Sequence, residues 1–74
     1  SPREGADEAL VMGLRLGEGI DALELERRFG VELVNWERVD RLVTSGHLAR
    51  SGSRIAPTPA GRLLLDRILV EIAA

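Results

Sequence analysis

Few side chains in this 74-residue sequence could do chemistry: it holds one histidine, one tryptophan, one phenylalanine, one methionine and no cysteine. His47 follows Gly46 and precedes Leu48. A lone imidazole beside a helix end has the chemistry of an axial haem ligand or of an acid–base group. No cysteine or second histidine is present to complete a site, so the residues alone give His47 as a surface side chain. Trp36 could stack on a planar ligand, but it and Phe29 fall on apolar stripes and are expected to be core anchors. The 12 acidic residues alternate with ten arginines at helical spacing, and no isolated pair stands poised for general acid–base work. The sequence has no phosphate-binding glycine loop, nucleophile elbow or metal-ligand spacing. The expectation is a chain with no catalytic, cofactor-binding or metal residue.

The elements that would position these groups can be read from periodicity and caps. Ala6 to Leu16 reads as a first helix, with Ala6, Ala9, Leu10, Gly13 and Leu14 on one face, ended by Gly17 and Gly19. Gly13 inside that pattern costs about 1 kcal/mol against alanine, so it points to close approach of a neighbouring helix or to a tolerated weakness. Asp21-Ala22-Leu23-Glu24 is a capping-box variant opening a second helix that Gly30 stops, with Ala22, Leu25 and Phe29 on its buried stripe. Gly30 to Val34 makes a connector. Asn35 caps a third helix carrying Trp36, Val39, Leu42 and Val43, with a start one turn earlier, near Val31, as the alternative; Gly46 closes it. Leu48–Arg50 and Arg54–Ala56, joined across Ser51-Gly52-Ser53, read as a short hairpin. Thr58 and Pro59 open a last helix running to about Ile72, striped by Leu65, Ile68, Leu69 and Ile72. Leu64 and Val70 widen its apolar surface beyond the needs of one small core, which suggests that part of it faces another domain.

The order α-α-α-β-β-α is that of a winged helix, mainly α with a small β-hairpin, and residues 1–74 read as a single domain. A plain four-helix bundle competes, but would have no use for the hairpin-like stretch. Such a domain often reads DNA with the outer face of its third helix. Here that face is Glu37, Arg38, Asp40, Arg41 and Thr44, whose charges cancel; the whole chain carries −2 with a pI near 5.3. Only Arg50 and Arg54 on the wing could touch phosphates, and two contacts give a weak, salt-sensitive interaction. No nucleic-acid partner is expected. No apolar run approaches the roughly 18 residues that span a bilayer, and the polar N-terminus is unlike a signal peptide, so a cytoplasmic location without membrane insertion is the expectation.

Several runs resemble a known family. Asp7-Glu8-Ala9-Leu10-Val11-Met12-Gly13-Leu14-Arg15-Leu16, Glu18-Gly19-Ile20-Asp21, Phe29-Gly30, Leu42-Val43, Gly46-His47-Leu48 and Thr58-Pro59-Ala60-Gly61-Arg62 together resemble the C-terminal (HemN_C-type) domain of oxygen-independent coproporphyrinogen III oxidase-like radical S-adenosylmethionine proteins. The resemblance implies an accessory domain of a longer parent. The parent's barrel would hold a four-iron four-sulfur (4Fe-4S) cluster through Cys-x3-Cys-x2-Cys and cleave S-adenosylmethionine; that motif is absent here, so no catalytic or cofactor residue transfers to this chain. The family includes oxidases that decarboxylate coproporphyrinogen III and haem chaperones (HemW-like), and these motifs look more like the chaperone branch. The implied partners are the catalytic domain of the parent and a tetrapyrrole. Met12, Gly13 and Arg15 are the candidate interface residues. Two other readings remain beside this one: a stand-alone haem-binding module with His47 as ligand, and a DNA-binding winged helix.

Overall fold

A computed structural model describes residues 1–74. Helix α1 runs from Pro2 to Arg15, four residues earlier than its apolar periodicity predicts. Ser1 accepts from the Glu4 amide at 3.3 Å and Pro2 takes the first helical position, where its missing N–H leaves nothing unsatisfied. Ala6, Leu10 and Leu14 form its buried stripe. The chain then turns through Gly17 and Gly19, at φ of 77° and 82°. At Gly19 a side chain would also meet the Ile55 carbonyl at 2.6 Å.

That close approach announces an element the sequence reading lacks, a two-residue strand β1 (Ile20–Asp21). It pairs antiparallel with β3 (Arg54–Pro57), which pairs in turn with β2 (Leu48–Ser51), giving the sheet order β1-β3-β2. The hairpin therefore gains a third strand from outside it. Gly52, at φ 60°, takes the first position of the two-residue β2–β3 loop, where a II′-type turn needs glycine.

Asp21 caps α2 (Ala22–Phe29), accepting from the Glu24 amide at 3.1 Å, and Gly30 closes it in the left-handed region. The reciprocal half of the capping box is not formed: the Glu24 carboxylate turns to Arg28, 3.6 Å away on the next turn. Asn35 caps α3 (Trp36–Thr44), accepting from the Arg38 amide at 3.1 Å, so the helix starts there and not near Val31.

The connector between α2 and α3 is part of the core. Leu33 and Val34 are buried, and the Glu26 carboxylate accepts from both their amides, at 2.7 and 3.3 Å. The chain's last residues close over the same loop: the Asn35 amide donates to the Ile72 carbonyl at 2.7 Å and the Ala74 amide to the Leu33 carbonyl at 3.3 Å.

The single last helix expected from the sequence is two. Helix α4 (Pro59–Arg62) and α5 (Leu65–Ile72) are separated at Leu63 and Leu64, with Leu64 at φ −123°. Thr58 fixes the first piece: its hydroxyl donates to the Gly46 carbonyl at 2.6 Å and accepts from the Gly61 amide at 3.1 Å. Gly61 lies against the His47 carbonyl so closely that a Cβ would sit 1.9 Å from the oxygen. With α4 pinned there, α5 must change direction to bury Ile68 and Ile72, and no breaker residue in the sequence marks the bend. The core holds Ala6, Leu10, Leu14, Ala22, Leu25, Leu33, Val34, Val39, Leu48, Ile55, Ile68 and Ile72. Trp36 and Phe29, expected as core anchors, pack on its margin half-buried.

Candidate functional site

The outer face of α3 carries Glu37, Arg38, Asp40, Arg41 and Thr44, all exposed as read from the sequence. Its charges are spent within the domain. Arg41 pairs with Glu37 at 3.4 Å, and Arg38 donates to the Glu71 carbonyl at 3.2 Å. Arg50, from the wing, bonds Asp40 at 2.5 Å and the Gly52 carbonyl at 2.7 Å while its guanidinium lies 4.6 Å over the Trp36 ring. Arg54 is turned to the carbonyls of Glu18 and Gly19, at 3.1 and 3.4 Å. The wing is thereby fastened to α3, and a nucleic-acid phosphate would have to displace these internal partners.

A different face is open. Met12 on α1 and Leu16 just past its end are 58 % and 68 % exposed, and Leu63 and Val70, flanking and on α5, are 86 % and 77 % exposed, although all four are apolar. Arg15 and Asp66 link the two helices at 3.9 Å. Between α1 and α5 a shallow groove is lined by Leu10, Val11, Leu33, Leu69 and Val70, with Arg3 and Asp7 at one side. Four exposed apolar side chains thus lie on or beside two helices joined by one ion pair.

The candidate interface residues divide on this face. Met12 and Arg15 point outward, and Arg15 is half of the pair with Asp66. Gly13 does other work: a Cβ there would meet the Ile20 side chain at 2.8 Å, so its smallness admits β1 against α1 rather than a neighbouring helix. Leu64 and Val70, marked in the sequence as surplus, are exposed at 46 % and 77 %. Leu63 and Asp66 went unmarked; an unbroken last helix hides that Leu63 lies at a bend.

His47 is half-buried. It lines a recess of about 230 Å³ between the end of α3 and α5, with Leu42, Ser45, Leu64, Arg67, Ile68 and Glu71. Its Nδ1 lies 2.7 Å from the Ser45 hydroxyl, which is itself 3.1 Å from the Leu42 carbonyl. No three of the chain's histidine, aspartate and glutamate side chains gather as metal ligands. The chain has no thiolate, so its residues do not fit an iron–sulfur cluster. Asp21, which caps α2, has a displaced titration. The Ser53 hydroxyl at 2.7 Å and the Glu24 amide stabilise its carboxylate, holding its pKa below the ordinary aspartate value.

Taken together, these features make a winged-helix-like domain with the charges of its outer α3 face paired internally and apolar side chains of two helices exposed. The profile of the HemN C-terminal domain family matches residues 1–64, and the chain belongs to that family, an accessory domain of HemN-like proteins of the coproporphyrinogen oxidase type. No curated protein and no solved structure matches the chain. The match covers every element but α5, so the half of the open face that α5 contributes lies beyond it. No helix is long and apolar enough to cross a membrane.

Proposed function

We propose that this domain packs its α1/α5 face on the barrel of a radical S-adenosylmethionine parent and helps to shape or cover a tetrapyrrole site there. The observation that carries the reading is the exposure of Met12, Leu16, Leu63 and Val70 on and beside two helices that the Arg15–Asp66 pair joins. Covering each large apolar side chain is worth about 1.5–3 kcal/mol, so four of them outweigh what one exposed ion pair contributes. The pair supplies direction to an otherwise greasy contact. The iron–sulfur cluster and S-adenosylmethionine belong to the parent's barrel in this reading, which is a cytoplasmic protein of porphyrin synthesis or haem transfer, closer to the chaperone branch.

The other readings draw less support. A haem module resting on His47 would need a slot for the macrocycle, and the recess beside it is smaller than the ~300 Å³ at which pockets begin to hold drug-sized ligands. A DNA-reading wing would need free cations, and those of α3 and the wing are engaged.

The test is made in the full-length parent. Met12→Asp, Val70→Asp and Arg15→Ala should each expose the junction to limited proteolysis and weaken tetrapyrrole binding, with at least a tenfold loss for the two aspartate variants, which force a charge into an apolar contact. Unchanged protection together with unchanged tetrapyrrole affinity in both aspartate variants would overturn the proposal.

A further inference from the structure

The recess beside His47 lies apart from the α1/α5 face and has features of a ligand site in its own right. Its floor is apolar, made by Leu42, Leu64 and the buried Ile68, and its polar lining comes from Ser45, His47, Arg67 and Glu71. Arg67 and Glu71 stand one turn apart on α5, yet they form no ion pair with each other or with any other side chain. Three other pairs at the same spacing are closed: Arg3–Asp7, Glu24–Arg28 and Glu37–Arg41. The recess thus holds an uncommitted cation and an uncommitted anion on one helix face.

The third polar group is set by its neighbour. The Ser45 hydroxyl lies 3.1 Å from the Leu42 carbonyl and 2.7 Å from His47 Nδ1, which fixes the ring by that nitrogen. The other ring nitrogen, Nε2, has no hydrogen-bond partner within the domain. The lining offers one fork of cationic donors, one carboxylate and one unpartnered ring nitrogen around an apolar floor.

We infer that this recess binds a small zwitterion with an apolar body, an α-amino acid of leucine or phenylalanine type. Arg67 takes the carboxylate in a forked, charge-assisted contact. Glu71 accepts from the ammonium, and Leu42, Leu64 and Ile68 cover the side chain. The volume of about 230 Å³ suits a ligand below drug size. The summed charge of Arg67 and Glu71 is zero, which selects a neutral molecule with separated charges over a simple anion.

The chain labelled with nitrogen-15 is titrated with L-leucine, with L-phenylalanine, with isocaproate, which lacks the ammonium, and with isoamylamine, which lacks the carboxylate. Amide shifts confined to residues around Ser45, His47, Leu64 and Glu71 are expected for the two amino acids, with each truncated analogue about tenfold weaker, the worth of one charge-assisted contact. Arg67→Ala should weaken leucine about tenfold, and Arg62→Ala, outside the recess, should leave it unchanged. No saturable shift with either amino acid, or isocaproate binding as tightly as leucine, would overturn the inference. The analogue series is read on the unaltered chain, so it decides even if a variant folds poorly.

Discussion

Gly61 offers the sharpest check on the packing argument, because two effects of opposite sign meet there. In a helix, alanine is favoured over glycine by about 1 kcal/mol, and on local grounds Gly61→Ala should stabilise α4. The structure reverses that sign. The added Cβ would lie 1.9 Å from the His47 carbonyl oxygen, a backbone atom held by the Thr58 amide at 3.1 Å. Relief requires α4 to back away by more than an ångström. Such overpacking costs about 1–3 kcal/mol. The movement also breaks or stretches the bonds from Thr58 to the His47 and Gly46 carbonyls, at about 1 kcal/mol each. The net loss is about 2–4 kcal/mol, a large share of the ~4–11 kcal/mol expected for a domain of this length. Thermal and urea unfolding read it directly, and the melting temperature should fall by at least about 10 °C. Gly5→Ala is the control: its Cβ would meet only the edge of the half-buried Phe29 ring, at 2.9 Å, which can swing, so the change should stay within about 1 kcal/mol. A Gly61→Ala protein as stable as the parent chain would refute the reasoning, as would an equal loss at Gly5.

Glu26→Ala removes the acceptor for the buried Leu33 and Val34 amides and should cost about 2–3 kcal/mol in urea unfolding, whereas Glu32→Ala, on the exposed side of the same loop, should cost little. Because the folded-state pKa of Asp21 is depressed, its contribution to stability is complete above the ordinary aspartate value and is lost as pH falls below it through the depressed value. Asp21→Asn, which can still cap α2, should flatten that acid limb in melts recorded from about pH 5 downward. The unaltered chain should give no mobility shift with DNA at micromolar concentration and low salt. Replacing Glu37 and Asp40 by Gln and Asn raises the outer face of α3 from neutral to +2 and frees Arg50, and should create weak binding that vanishes as salt rises.

What the sequence made legible was local. Asp21, Gly30, Asn35 and Gly52 each act on backbone within a few residues, so α2, α3 and the hairpin stand where caps and turns put them. The start of α1 was local too, but Ser1 and Pro2 precede the apolar pattern that drew attention to Ala6. The features that escaped depend on distant partners. Strand β1 exists because Ile20 meets Ile55, and no two-residue stretch carries a strand pattern of its own. Leu33 and Val34 are core residues by virtue of Glu26 and the chain's last residues. The bend at Leu63 and Leu64 has no breaker; it follows from Gly61 pressing on the 46–47 backbone. At the candidate site, the neutrality of the α3 face and the surplus apolar residues could be read directly. The pairing of Arg15 with Asp66 and the opening of a recess beside His47 required the bend.

The closure of residues 72–74 over the α2–α3 connector has a topological consequence. The Arg3 guanidinium donates to the Glu32 carbonyl at 2.6 Å and the Ala74 amide to the neighbouring Leu33 carbonyl, so residues near both ends are anchored at one corner. A circular permutant that joins Ala74 to Ser1 through a short flexible linker, and opens the chain at the Gly52 turn, should therefore fold with the same core.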